Sequence, residues 1–560
     1  MSSKRVVIIG GVAGGASAAA RLRRLSESAE IVMLERGPYV SFANCGLPYH
    51  VGGEIPDREE LLVQTPAGLK SRFNIDVRVN TEAVRIDRER RVVAIVDLIT
   101  GGSEELAYDH VVLAPGAATL VPPIPGIKRP GHFAMRTVPD AEAVAAHCDT
   151  HAGGRAVVVG GGYIGLEMAE QLHRRGMRVA VVEALPQVMA MLDMDMANRL
   201  HAEIRANGLD LHLGDGVAAF EEPGVDESCA ASVVVLKGGA RLPADLVILG
   251  MGVRPDVALA REAGLEIGAL GGIRVDEQMR TSDPAVLAVG DAVEVRHGVT
   301  GAWSLLPLAG PANRQGRIAA DVIAGRNSRY KASWGTGIIR VFGLTAGATG
   351  ANERMLGATG MAFDALHLHP FSHASYYPGA TQIAMKVLFD PGTGRILGAQ
   401  AIGQDGVDKR IDVLATAMQA GLTVDDLADL ELSYAPPFGS AKDPVNLAGM
   451  MGQNVRAGDV ALAQWRDAAS LAEGSAVLLD VREPGEWTQG RIPGAVHIPL
   501  GQLRGRLGEL PKDKPLLVYC RSGQRSYYAC RVLNQNGFET RNMTGAYLTW
   551  MSASGATPAT

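Results

Sequence analysis

A strand, a glycine-rich turn, a helix and a second strand ending in an acid occur twice in this chain, about 150 residues apart. Few folds accommodate such a repeat. In the first copy Arg5 to Ile9 is a buried strand, Gly10 to Gly15 a turn, Ala16 to Leu25 a helix and Ile31 to Glu35 the next strand. In the second, the same parts are Ala156–Val159, Gly160–Gly165, Leu166–Arg175 and Val179–Glu183. Gly160, Gly162 and Gly165 satisfy G-x-G-x-x-G between a strand and a helix. Glycines there allow a tight turn and close approach of a pyrophosphate, whose charge is favoured at a helix N-terminus. Glu183 ends the following strand, 23 residues after Gly160. A carboxylate there accepts from a ribose 2′-hydroxyl and repels a 2′-phosphate, which selects NADH over NADPH. The first turn keeps Gly10 and Gly15 but has Val12 at the middle glycine position, and Glu35 restores the terminal acid. Two dinucleotide-binding domains follow.

The rest of the chain is divided around these units. A length of 560 residues is too great for one core, and 47% hydrophobic content supports several. Leu246–Leu249 and Val286–Val289 read as strands returning to the first domain. Residues 330–450 read as mixed α+β, Met450 to Gly458 as a linker, and a further α/β unit begins near 465 with strands at Val477–Leu479 and Leu516–Tyr519. The expected division is 1–115 with 245–325, then 116–244, 326–450, a linker at 451–464, and 465–560. A net charge of −6 argues against a nucleic-acid partner. No run of 18 apolar residues suggests a membrane span. Lys4 and Arg5 before an apolar run faintly imitate a signal peptide, but strand, turn and helix account for them better. Five cysteines form no disulfide framework, and a reducing, cytoplasmic setting is expected.

Two of those cysteines have chemical context. Cys45 lies in Ser41-Phe-Ala-Asn44-Cys45-Gly-Leu-Pro48-Tyr49, ten residues after Glu35, and positions 46–50 hold no second cysteine. A lone cysteine is more often a small hydrophobe than a nucleophile, and this one has no near partner for dithiol chemistry. Cys520 stands between a strand and a helix, in Cys520-Arg521-Ser-Gly-Gln-Arg525-Ser526. Backbone amides and the helix dipole stabilise a thiolate there, and Arg521 and Arg525 add positive charge. A Cys-x4-Arg loop fits a small sulfur atom, whereas the longer phosphatase loop would put arginine where Ser526 stands. Cys148, Cys229 and Cys530 have no motif. His147 with His151, and His367, His369 and His373, read as structural, and no metal site is expected.

These motifs resemble coenzyme A-disulfide reductase–rhodanese fusions, also described as NADH-dependent persulfide reductases, of the pyridine nucleotide-disulfide oxidoreductase family. Thr281-Ser-Asp-Pro with Ala288-Val-Gly290-Asp291 resembles the strand at which these flavoproteins meet the ribityl chain of FAD. The resemblance implies an α/β fold with two Rossmann-like domains, FAD in the first and NADH in the second. It adds an α+β interface domain and a C-terminal rhodanese domain marked by Asp480, Gly490–Gly494 and Cys520. It implies coenzyme A as substrate or bound thiol, contacted by Ser17, Arg21 and Arg24 on one helix face, and by Ser41, Asn44, Asn313 and Lys442. It also implies a homodimer in which Tyr376 and Tyr434 reach the partner's active site. The activity it implies is reduction of coenzyme A persulfide, polysulfide or coenzyme A disulfide, with Cys45 as a single thiol that forms a mixed disulfide or persulfide. NADH oxidases and peroxidases, which use a single cysteine as a sulfenic acid, share the fold and stand as the alternative enzyme, although they usually carry histidine where Ala13 stands. A redox-sensing sulfur carrier is the alternative outside enzymology.

Overall fold

The computed structural model describes residues 4–224, 230–468 and 475–555. They form two compact units. One comprises the chain up to Pro186 with Leu209–Ser333, the other Gln187–Gly208 with Trp334 onward.

The first unit holds both glycine turns. Its first sheet is parallel, in the order Val286–Ala288, His110–Leu113, Arg5–Ile9, Glu30–Leu34, Asp76–Arg78. Val6, Val7 and Ile8 are fully buried, as uninterrupted apolar runs are in parallel sheets covered on both faces. Helix Ala13–Leu25 packs on helix Ala309–Ile323, and Gly316 permits it, since a Cβ there would fall 2.2 Å from the Gly14 carbonyl oxygen. The second parallel sheet is ordered Asp210–Leu213, Arg178–Glu183, Arg155–Val159, Leu246–Leu249, His132–Phe133. Leu246–Leu249 therefore does not return to the first domain. It pairs with Arg155–Val159, and a boundary at 245 cuts the second domain short. A buried apolar run carries no mark of which parallel sheet it joins. The chain re-enters the first domain through Val253–Pro255, paired with Ala117–Thr119.

The second unit contains an antiparallel sheet ordered Gly337–Val341, Leu344–Gly350, Ile396–Gly403, Ala384–Phe389, Asp364–Leu368, with helix Val407–Ala420 beside it. A parallel sheet follows, ordered Ala461–Ala463, Thr540–Met543, Leu516–Tyr519, Val477–Asp480, Val496–His497. A buried charge cluster ties the antiparallel sheet to helix Met194–Ala206 and to Glu353. Lys386 Nζ lies 3.0 Å from Asp193, 3.0 Å from Asp195 and 2.8 Å from Glu353, and His367 Nε2 lies 2.5 Å from Asp195. The His367 amide donates to Thr544 Oγ1 at 2.6 Å, joining the two sheets.

The expected linker at 451–464 is not one. Pro444–Arg456 is a helix, started by the Asp443 capping box with Pro444 in its first turn, and Ala461–Ala463 is an edge strand of the last sheet. Two glycines of this helix serve packing. A Cβ on Gly449 would lie 2.3 Å from the Ala428 nitrogen, and one on Gly452 would lie 2.8 Å from Val424 Cβ, both in the neighbouring helix Val424–Asp429.

Candidate active site

The two nucleotide turns are built alike. In the first, Glu35 accepts from the Gly11 amide at 2.9 Å through one oxygen and from the Gly37 amide at 2.9 Å through the other. In the second, Glu183 accepts from Gly161 at 2.7 Å and from Leu185 at 2.8 Å. Each acid is thus fixed at the mouth of its turn. Gly10 and Gly160 have φ of 101° and 117°, and a Cβ on either would lie 2.0–2.1 Å from the carbonyl oxygen of Ala114 or Gly250. Gly15 and Gly165 are equally confined, each by the carbonyl of its own turn. Gly162 meets nothing within 4 Å, so the second turn presents an open backbone surface of the kind a pyrophosphate needs. Both cradles fit dinucleotides.

Gly290 and Asp291 form a short 3-10 turn after strand Val286–Ala288. The Gly290 amide donates to Gln315 Oε1 at 2.7 Å. Burial pushes the Asp291 carboxyl up, opposed by the Arg136 guanidinium. A half-buried acid at the end of the first sheet suits a polyol chain, as FAD would supply.

Cys45 occupies a 3-10 turn, Asn44–Gly46, leading into helix Leu47–Val51. The segment is anchored to the first turn, since the Ser41 amide donates to the Gly11 carbonyl at 2.8 Å. Cys45 is exposed, and its Sγ lies 3.7 Å from Asn44 Oδ1. Partial burial of the thiol, then the carboxylates of Glu167 and Asp291, push it above its ordinary value. Tyr49 donates to Glu167 Oε1 at 3.1 Å. That pairing spans 118 residues and has no local sequence signal.

The face expected to meet coenzyme A is only partly free. Ser17 and Asn313 are brought together by a hydrogen bond between their side chains. Arg21 is largely buried and ion-paired with Asp321 at 2.8 Å, while Arg24 is exposed. Lys442 is exposed in the second unit, just before the Asp443 cap. Tyr376 and Tyr434 share that unit, and their hydroxyls lie 2.8 Å apart although 58 residues separate them.

Cys520 is fully buried at the end of strand Leu516–Tyr519, just before helix Gln524–Asn534. Its sulfur accepts from the Gly523 amide at 3.1 Å and from Ser526 Oγ at 3.5 Å. Gly523 has φ of 106°, which turns its amide inward. The loop is held from behind, where Tyr547 and Leu548 amides donate to the Cys520 and Arg521 carbonyls at 3.1 and 3.0 Å. Arg525 adds positive charge to the loop in the sequence reading, and the structure pairs that charge. Its guanidinium makes two bonds of 2.7 Å to Glu486 and also faces Cys520. Asp480 and Arg482 form a buried pair at 2.6 Å beneath the loop. Cys148 is buried against Met177, Cys530 is buried and pushed up to about 12 by burial, and Cys229 lies outside the described residues. Among the described residues no helix is long and apolar enough to cross a membrane.

Residues 4–316 match the pyridine nucleotide-disulphide oxidoreductase family, 338–444 the dimerisation domain of such proteins, and 464–553 the rhodanese-like domain. A coenzyme A disulfide reductase of Staphylococcus haemolyticus is 32% identical over 447 residues, covering 80% of this chain and 98% of that protein. Reduced Bacillus anthracis CoADR-RHD is similar along the whole chain, with 46% identity, 99% coverage of each chain and a TM-score of 0.97. A NAD-dependent persulfide reductase from A. fulgidus has 38% identity, with 98% of this chain and 100% of that one covered at a TM-score of 0.90.

Proposed function

The chain belongs to the pyridine nucleotide-disulphide oxidoreductase family, and on that premise we propose that it reduces coenzyme A persulfide, polysulfide or coenzyme A disulfide through Cys45, with Cys520 carrying sulfane sulfur. It is an FAD- and NAD(H)-dependent oxidoreductase with a rhodanese domain. The observation that carries the substrate reading is the pairing of two unlike thiols in one chain. One is exposed with no neighbouring cysteine from 46 to 50, and the other lies in an amide-lined loop.

In this reading Glu183 holds the adenosine ribose of NADH and excludes a 2′-phosphate. Glu35 and Asp291 would hold FAD, which when bound would supply two-electron transfer between NADH and the substrate sulfur. Cys45 attacks the substrate sulfur and retains it as a mixed disulfide or persulfide. Ser17 and Asn313, with Arg24 exposed on the same helix, offer polar and cationic contacts to coenzyme A. Arg21 braces that helix through Asp321. Tyr376 and Tyr434 offer phenolic protons to a leaving thiolate across a dimer. At Cys520 the Gly523 amide and the Ser526 hydroxyl stabilise a persulfide anion, while Glu486 fixes Arg525 over the loop.

Steady-state NADH oxidation with coenzyme A persulfide, polysulfide, coenzyme A disulfide and oxygen tests the proposal. A sulfur substrate should give the highest kcat/KM, and Cys45→Ser should abolish it. Faster turnover with oxygen or peroxide would overturn the reading.

A further inference from the structure

The loop that carries Cys520 takes its shape from residues 542–548 behind it. The Tyr547 and Leu548 amides donate to the Cys520 and Arg521 carbonyls at 3.1 and 3.0 Å, and Asn542 Nδ2 donates to the Gly523 carbonyl at 3.3 Å. In a trans peptide the N–H points opposite to its C=O. The Arg521 and Ser522 amides are therefore turned away from helix Ala546–Ser554, and the next amide, that of Gly523, donates to the Cys520 sulfur at 3.1 Å. Among the described residues the Arg521 and Ser522 amides meet no acceptor. Successive free amides of this kind receive an anion.

The helix reaches the loop through a strained turn. Gly545 and Ala546 have φ of 65° and 47°, and Ala546 is fully buried. A left-handed alanine persists only where its surroundings impose it. Thr544 supplies that restraint. It is fully buried, its Oγ1 accepts from the His367 amide at 2.6 Å, and the same hydroxyl donates to the His367 carbonyl at 3.3 Å. His367 lies on Asp364–Leu368, the edge strand of the antiparallel sheet, so this clasp occupies backbone groups that the sheet leaves open. Contact runs on from the clasp to the loop. A Cβ on Gly545 would lie 2.6 Å from His367 Cβ, and one on Gly523 would lie 3.4 Å from the Gly545 nitrogen. In the first turn of the helix, Thr549 Oγ1 lies 2.9 Å from His369 Nε2. Both histidines stand in the segment that matches the dimerisation domain, and both threonines in the rhodanese-like match.

We propose that Thr544 is a positioning residue for sulfur transfer at Cys520. By clasping His367 it fixes the start of helix Ala546–Ser554, and through that helix it aims the loop amides at the anionic donor. The proposal rests on Cys520 being the carrier of sulfane sulfur. With thiosulfate as donor, the Cys520 thiolate bonds to the outer sulfur and the sulfur–sulfur bond of thiosulfate breaks. Sulfite leaves with the electron pair of that bond, and Cys520 is left as a persulfide anion. The charge on the donor and on the new terminal sulfur is what the aimed amides meet. The geometry of the sulfur-transfer loop is thus set by the dimerisation sheet as well as by the rhodanese fold.

The test uses the full-length, FAD-loaded protein. Thr544→Val keeps the branched shape and loses both hydroxyl bonds, while Thr544→Ser keeps the bonds. Two quantities are read: kcat/KM for sulfur transfer from thiosulfate to dithiothreitol, and hydrogen exchange at the Tyr547 and Leu548 amides. Thr544→Val should lower kcat/KM by about tenfold, as a displaced anion donor does. Exchange at the two amides should speed by about tenfold, while strand Leu516–Tyr519 stays protected. Thr544→Ser should restore both quantities to within about twofold of the native protein, and NADH-driven reduction of coenzyme A disulfide should stay within about twofold in either variant. Thr549→Val removes only the outer tie to His369 and should move both quantities the same way by less, which keeps the test available if Thr544→Val does not fold. Unchanged sulfur transfer in Thr544→Val or, where that variant does not fold, in Thr549→Val would overturn the proposal, as would a loss with exchange at Tyr547 and Leu548 unmoved. An equal loss of disulfide reduction and of strand protection would also overturn it, since that is general destabilisation. Failure of the underlying reading shows separately, as sulfur transfer that survives Cys520→Ser.

Discussion

Glu183 has both carboxylate oxygens fixed by backbone amides, so its charge stays at the mouth of the second turn whether or not a nucleotide is present. NADH should therefore exceed NADPH in kcat/KM. Glu183→Ala should narrow the ratio by about tenfold, roughly one charge interaction at close range. Equal use of both nucleotides by the native protein would contradict this. The two thiols should fail differently. Cys45→Ser should stop persulfide reduction while NADH still bleaches the flavin. Cys520→Ser should stop sulfur transfer from thiosulfate to a thiol acceptor and spare reduction of free coenzyme A persulfide. If the second variant also loses persulfide reduction, sulfur passes obligatorily through the Cys520 loop. At this scale the sequence disclosed what local motifs encode: Glu35, Glu183, Cys45 and Cys520 stand at fixed offsets from a strand end or a glycine. It did not disclose Glu167 against Tyr49, Glu486 against Arg525, or Asp321 against Arg21, because those pairs join distant segments. Nothing in one segment's periodicity names its partner in another.

Among elements, strand and helix positions in the repeated units were legible because burial and period agree there. Two errors arose where glycine and a buried strand were ambiguous. The stretch from Met450 to Gly458 reads as a linker, yet Gly452 within it, with Gly449 just before it, allows helix Pro444–Arg456 to pack closely on Val424–Asp429. Gly449→Ala should accordingly destabilise the protein by about 1–3 kcal/mol, by overpacking against backbone. Calorimetry should show a lowered Tm, and an unchanged one would contradict the packing role. The helix Met194–Ala206 offers a pH test. His201 is held down to about 4 by burial first and then by Arg205, and its Nε2 accepts from the Val188 amide at 3.1 Å. The unfolded chain, with histidine near about 6.5, then binds more protons than the folded one. Stability contributed by neutral His201 is present above that value and lost as pH falls toward 4. Denaturant midpoints measured across this window should fall with pH, and His201→Gln should fall less steeply.

At the scale of the whole molecule, Tyr376 and Tyr434 bear on whether one chain makes a complete active site. They are 74% and 48% exposed in a single chain, with Phe438 nearby in sequence at 72%. Exposed aromatics clustered within a dimerisation-family segment are the composition of a surface that another protein covers. If each phenol pair serves the Cys45 of the opposite subunit, the damage done by the two kinds of mutation should be separable by mixing. A Cys45→Ser homodimer has intact tyrosines and no thiol. A Tyr376→Phe/Tyr434→Phe homodimer has intact thiols and no phenols. After unfolding and reassembly at equal concentration, half of the dimers should be mixed, each with one intact site and one doubly damaged site. Roughly a quarter of native sites should then be restored, as random pairing under twofold symmetry requires. The readout is NADH-driven turnover of coenzyme A disulfide, corrected for the residual rate of each parent. Tyrosines that serve their own chain's cysteine leave the mixed dimer with no intact site, so turnover stays at the mean of the parents. That result would contradict a shared site, whereas a monomeric native protein in sedimentation would contradict the dimer itself.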